Sequence, residues 1–397
     1  MGITKATKTA VEKDFKPKVA AIKEKSTTVG SDPELFVRKT PNYKTVTGAE
    51  KLLTEGEIVQ PNGCGKIIID GVQLELNPNY STCRESHATY IAELIRLSAE
   101  QAKKKGMALD FSVGQRITPT ELRTLKPENQ KFGCSESFNA NESPIDLGMI
   151  DATKVYTRYA GGHIHIGGDW VQNIMKTHPD LVVRLCDAIA GNTMVLFDRD
   201  PANVERRKLY GRAGEYRLPK CGVEYRTLSN FWMSNYQMYS LAFALVRLAV
   251  NAAQTEEAAA DALSDIYTEV APDDIVRAIN ENDYDLAFKN FQHIRKVIYK
   301  LVSSSEYYGS RFGLHESTAK EFDYFLDKYT TEGYAYWFGE NKPEKYWTQK
   351  YRTCSRYGFN DFLRHIVVDD KKNKGNSNRR MHFTCASGQE NKYPIYG

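Results

Sequence analysis

No stretch of this chain is long and apolar enough to cross a bilayer. The most apolar run, Leu241–Val250, carries Arg247 and is too short to span one. The N-terminus lacks the apolar region of a secretory signal. The seven cysteines (Cys64, Cys83, Cys134, Cys186, Cys221, Cys354 and Cys385) are odd in number, and none form a C-x-x-C knuckle. That argues for free thiols in a reducing compartment over a disulfide framework. A net charge of +4 is small for 397 residues, so bulk electrostatics do not call for nucleic acid. The Walker pattern G-x-x-x-x-G-K-[ST] is absent, no dinucleotide G-x-G-x-x-G follows a strand, and no internal repeat is visible. These absences leave a cytoplasmic enzyme without a membrane partner as the expectation.

What is present is a set of polar groups at alternate positions. Gly161-Gly162-His163-Ile164-His165-Ile166-Gly167 and Glu224-Tyr225-Arg226 read as strands. Side chains two apart share one face of a strand, so His163 pairs with His165 and Glu224 with Arg226. Asp32-Pro33-Glu34 has the same construction, and in Asp70–Pro78 the residues Gln73, Glu75 and Asn77 alternate with apolar neighbours. The pattern predicts a sheet with one functional face that binds metal ions and an anionic substrate. The two imidazoles could hold one metal, or divide between a metal and a phosphate. A satisfied buried pair is the bland alternative, and the flanking glycines, which allow close approach, argue against it. Asp32, Glu34, Asp70, Glu75, His163 and Glu224 form an oxygen-rich set that suits Mg²⁺ or Mn²⁺ better than Zn²⁺.

Eight cations follow the histidines: Arg199, Arg206, Arg207, Lys208, Arg212, Arg217, Lys220 and Arg226. They read as a solvated loop or as a polyphosphate cradle. Guanidinium groups bind phosphate oxygens bidentately, and cations beside carboxylate-held metals suit phosphoryl transfer. Cys134 could be a nucleophile, but a loop thiol without a catalytic role is the simpler reading.

The alternation and the helical periods predict an α+β fold, a mostly antiparallel sheet with helices on one side. Strands are expected near Thr28–Arg38, Ile67–Asn77, 108–116 and 215–230. Helices are expected near 82–105, opened by a Thr82/Glu85 capping box, and at 180–199, 234–263, 273–282, 284–304, 317–329 and 359–367. Residues 1–27 read as a basic flexible tail, 28–255 as the catalytic domain, and 256–397 as a mainly helical part packed on it. Asp369–Asn378 reads as a loop, and the aromatic run Tyr334, Tyr336, Trp337 and Phe338 as packing of the helical part onto the sheet, or as a docking surface.

In order, the chain carries D-P-E (32–34), D-G-x-x-x-E-x-N-P (70–78), F-G-C (132–134), G-G-H-I-H-I-G (161–167), Y-G-x-A-G-x-Y-R (210–217) and G-V-E-Y-R-x-L-S-N-x-W (222–232). This set resembles the phage-type carboxylate–amine ligases, or amidoligases, of the glutamine synthetase and glutamate–cysteine ligase superfamily. The resemblance spans about residues 28–255, with Asp32 where glutamate is usual and no aspartates in Ser135-Glu136-Ser137. It implies a glutamine-synthetase-like curved sheet in a cytoplasmic enzyme, one of the host cytoplasm if it is phage-encoded. It implies ATP and Mg²⁺ or Mn²⁺, with a carboxylate substrate and an amine substrate (amino acid, peptide or protein). Asp32 and Glu34 would then sit on opposite metals, with His163 and Glu224 on the metal of Asp32, and Glu75 with Asp70 on the other. His165 would approach the nucleotide, and Arg206, Arg207, Arg212 and Lys220 would line the phosphates. Arg226, with Arg217 and Glu224, would act on the transferred group. A zinc hydrolase and a non-catalytic virion protein on a ligase fold are the rivals.

Overall fold

The computed structural model describes residues 27–39, 45–53, 64–81, 84–132, 137–143, 151–220, 222–304 and 343–350. The fold is α+β. Among the described residues twelve strands run in chain order: β1 Thr28–Ser31, β2 Glu34–Lys39, β3 Thr45–Thr47, β4 Gly65–Asp70, β5 Gln73–Pro78, β6 Met107–Asp110, β7 Gly114–Arg116, β8 Phe138–Asn139, β9 Thr157–Tyr159, β10 Ile164–Gly167, β11 Glu215–Arg217 and β12 Gly222–Tyr225. One five-stranded sheet has the order β1-β10-β12-β11-β8. A second has the order β3-β2-β5-β4, with β6 also on β2, and β7 pairs with β9. The β1–β10, β10–β12, β11–β12, β2–β5 and β4–β5 pairs that carry the site are all antiparallel.

The strand expected at Thr28–Arg38 is two strands. Asp32 and Pro33 interrupt it, because proline has no N–H for a ladder. At this break the chain passes from one sheet to the other: the Pro33 carbonyl accepts from Leu76 N at 3.0 Å, and Glu34 N donates to Gly161 O at 3.0 Å. The strand expected at Ile67–Asn77 is a hairpin, β4 and β5. Gly71 turns it at φ 57°, a conformation that glycine adopts without strain. Residues 108–116 and 215–230 likewise divide, into β6 and β7 and into β11 and β12.

Ile164, Ile166, Val223 and Tyr225 turn one face of the first sheet inward, as do Leu35, Ile67, Leu74 and Leu76 in the second. Helices Arg84–Lys104, Asp169–Thr177 and Tyr236–Ala252 pack on the strands. Ala88, Ile91, Leu94 and Ile95 are the buried stripe of the first, as their spacing predicts. The helix expected over 234–263 is two, because Thr255 caps the amide of Ala258 and starts Glu256–Tyr267. The one expected at 180–199 runs Pro179–Cys186, continues through a π-helical turn Asp187–Gly191, and ends at Val195. Pro272–Asn280 and Tyr284–Ser304 stand close to expectation. Thr27, at the end of the expected tail, is buried, and residues 1–26 lie outside the described residues. No helix among the described residues is long and apolar enough to cross a membrane. Thr82, the Glu85 side chain, Cys134, the helices at 317–329 and 359–367, the run 334–338 and the loop 369–378 lie outside the described residues.

Candidate functional site

Strand register builds the site. In the first sheet Gly30 stands opposite His165, His165 opposite Glu224, and Glu224 opposite Arg217. Directly opposed residues share a face, so His165, Glu224 and Arg217 form one polar row across three strands, with Gly30 leaving space beside His165. In the second sheet Glu34 stands opposite Glu75, and Asp70 opposite Gln73. Asp32, in the break between β1 and β2, joins the two rows.

Two clusters of potential ligands result. Asp32, His165 and Glu224 offer ligand atoms within 4.8 Å of one another, and so do Glu34, Asp70 and Glu75. His163 adjoins the first: its Nδ1 lies 3.1 Å from Asp32 Oδ1 and 3.5 Å from Glu224 Oε1. His165 Nε2 lies 3.4 Å from Asp32 Oδ2. Asp32 Oδ1, both ring nitrogens of His163 and His165 Nε2 are buried, yet make no well-aligned hydrogen bond among the described residues. Buried polar atoms are rarely left so, and here they converge from three segments.

In the second cluster three donors meet one oxygen. Glu34 Oε2 accepts from Gly161 N at 2.8 Å, Gln73 Nε2 at 3.1 Å and Tyr210 OH at 3.4 Å. Burial and then the nearby Asp70 push the Glu34 carboxyl up to about 8. Burial, with Asp32, Asp70 and Glu34 close by, pushes Glu75 up to about 9. Burial and Asp32 also raise Asp70. Asp32 goes the other way: burial opposes its charge, but His163 and His165 hold it well below the usual range. Three carboxyls that cannot comfortably ionise together are a site that a cation would relieve.

The predicted cations divide. Arg217 and Arg226 reach the site, with Nη1 atoms 3.5 Å and 2.5 Å from Glu224 Oε1. Arg206 does not point to a phosphate site as expected. Its buried guanidinium donates to the backbone carbonyls of Arg226, Thr227 and Leu228, clamping the end of β12. Arg207 is also buried, bonded to the carbonyl of Ile279 and to Asn282 Oδ1. Arg206 satisfies carbonyls just past β12 and Arg207 one in the last turn of helix Pro272–Asn280, roles that a basic run does not distinguish from phosphate binding. Arg212 pairs with Glu142 at 2.8 Å and donates to Ser143 O. Lys220 is exposed, and its backbone carbonyl accepts from Gln172. His165, expected at the nucleotide, stands in the Asp32 cluster.

Three further groups at or beside the site are not singled out by the sequence pattern. Tyr210 supports Glu34. Asp187 is buried on the core side of β12, where burial pushes it up to about 7 while Tyr225 OH donates to it at 2.8 Å. Glu215 contacts Arg226 Nε at 3.3 Å. The third had a signal: Glu215-Tyr216-Arg217 repeats the Glu224-Tyr225-Arg226 pattern.

Residues 145–307 match the model of a family described as phage phiEco32-like COOH.NH2 ligase-type 2. The chain is therefore similar to the phage-type carboxylate–amine ligases that its motifs resemble. The match contains His163, His165, Glu215, Arg217, Glu224 and Arg226, and it extends through helix Tyr284–Ser304, beyond the last motif. Asp32, Glu34, Asp70 and Glu75 precede it. No curated protein matches the chain.

Proposed function

We propose that this protein is an ATP-dependent carboxylate–amine ligase on a glutamine-synthetase-like sheet. The observation that carries this reading is the convergence of two acid clusters, one on each sheet and joined at Asp32, with two arginines, in a chain similar to COOH.NH2 ligases. The unsatisfied buried atoms of Asp32, His163 and His165, and the raised carboxyls of Glu34, Asp70 and Glu75, fit divalent cations. Asp32, His163, His165 and Glu224 would hold one such ion, and Glu34, Asp70 and Glu75 another. Mg²⁺ or Mn²⁺ there supplies the positive charge that a triphosphate needs.

In the reaction a substrate carboxylate oxygen takes the γ-phosphoryl group of ATP, giving an acyl phosphate and ADP. The amine nitrogen then attacks the acyl carbon. The C–N bond forms, the bond to the phosphate oxygen breaks, and a proton leaves the nitrogen. Arg226 and Arg217 offer planar donors for the oxyanions that develop. The protein's part is placement and charge neutralisation rather than covalent chemistry. Glu34→Ala and Glu224→Ala are expected to abolish ATP turnover while circular dichroism stays that of the wild type. Full turnover in either variant contradicts the ligand assignment.

A further inference from the structure

The two Glu-Tyr-Arg tripeptides lie on paired antiparallel strands, with Tyr216 opposite Tyr225 and Arg217 opposite Glu224. Each glutamate therefore meets the arginine of the other strand. Glu224 is the more contested of the two. Its Oε1 lies 3.5 Å from His163 Nδ1 and accepts from Arg217 Nη1 at 3.5 Å and Arg226 Nη1 at 2.5 Å. A divalent ion held by Asp32, His165 and Glu224 would draw on the same carboxylate, and the hold of Glu224 on Arg226 would weaken when the ion binds.

Glu215 is placed differently. Its Oε1 lies 3.3 Å from Arg226 Nε and accepts from Ser137 Oγ at 2.9 Å. Its Oε2 accepts from the backbone amides of Gly211 at 2.5 Å and Arg212 at 3.3 Å. Its backbone carbonyl accepts Arg226 N at 3.1 Å. Glu215 is buried and belongs to neither ligand cluster. Four donors on two oxygens suit an ionised carboxylate, which only accepts. The isosteric amide would turn its NH₂ against donors on one side or the other.

From this we propose that Glu215 is a positioning residue. It holds Arg226 by the Nε edge, so that the guanidinium keeps its place at the site when Glu224 is committed to an ion. The inference rests on the ligase reading for its effect on turnover, but the contact itself can be tested without turnover.

The test uses the full chain with Mg²⁺. In Glu215→Gln, kcat for ATP turnover should fall between about 10- and 100-fold, the range for an outer-shell partner, with KM for ATP nearly unchanged. In an Arg226→Lys background the same substitution should add nothing, because neighbours acting through one contact are not additive. The direct readout is hydrogen exchange at the arginine Nε–H whose NMR signal disappears in Arg226→Lys. That proton should be protected in the wild type and exchange at least about tenfold faster in Glu215→Gln. If Glu215→Gln does not fold, Glu215→Asp, which keeps the charge but shortens the reach, is read the same way. Unchanged exchange overturns the proposal whatever the turnover. A wild type without ATP turnover overturns the ligase reading instead, and the exchange measurement still decides the role of Glu215.

Discussion

Glu34 and Glu75 oppose each other on β2 and β5, and their carboxyls are pushed up to about 8 and about 9 from an ordinary 4.5. Between those values the folded protein binds more protons than the unfolded chain. Stability without divalent ions should therefore fall as pH rises from about 4.5 to about 9, the reverse of the usual paired carboxylate. Glu75→Gln removes the cost of keeping this buried carboxyl protonated on folding at pH 8 and should stabilise the ion-free protein there by at least about 1.4 kcal/mol, the worth of one pKa unit. Urea unfolding at pH 6 and pH 8, with and without Mg²⁺, reads this. A Glu75→Gln protein no more stable than the wild type at pH 8 would count against a carboxyl raised by burial and by its acidic neighbours at this site. At this scale the sequence was informative about ligand types and poor about their second partners. Alternation placed His165, Glu224 and Arg226 on one face. It could not show that Arg206 and Arg207 turn inward, because a guanidinium that caps buried carbonyls and one that binds phosphate occupy the same kind of basic, glycine-broken run.

Among the elements, the glycines around β10 have unequal tasks. A Cβ on Gly222 would lie 2.0 Å from Ile166 O, a backbone atom that cannot move without breaking the β10–β12 ladder. A Cβ on Gly161 would lie 2.6 Å from His163 Nε2, the end of a side chain that can swing aside. Gly222→Ala should therefore lower the unfolding midpoint by several degrees, as strain costing about 1–3 kcal/mol does. Gly161→Ala should fold nearly as well as the wild type but bind Mn²⁺ at least about tenfold more weakly. Calorimetric scans together with Mn²⁺ titration separate the two, and equal loss of stability in both variants would contradict the distinction. The elements themselves were read in outline. Helix Arg84–Lys104 was visible from its apolar stripe. Alternation continues through Asp70-Gly71 and so predicts one strand where the β4–β5 hairpin stands, although Asp-Gly is itself a turn signal. The division at Thr255 was hidden because alanine-rich sequence keeps a helical pattern on both sides of a capping residue.

Across the whole molecule, residues far apart in sequence close the core. Trp347 is 1% exposed, donates from Nε1 to the Met233 carbonyl and stands edge-on to Tyr239 at 6.3 Å. Trp347→Ala should cost about 3–5 kcal/mol, the usual loss for a large buried aromatic. Truncation before Tyr334 removes the same anchor and should leave a chain that does not fold cooperatively. A truncated protein with the wild-type unfolding midpoint would show that this part is an accessory module. The most direct test of the central claim is ADP formation by the full chain. It is to be mixed with ATP, Mg²⁺ and a library of amino acids and peptides. ADP and phosphate should appear together with a new amide, and only when a carboxylate and an amine substrate are both present. Amide cleavage without any need for ATP would instead mark a hydrolase and contradict the ligase assignment.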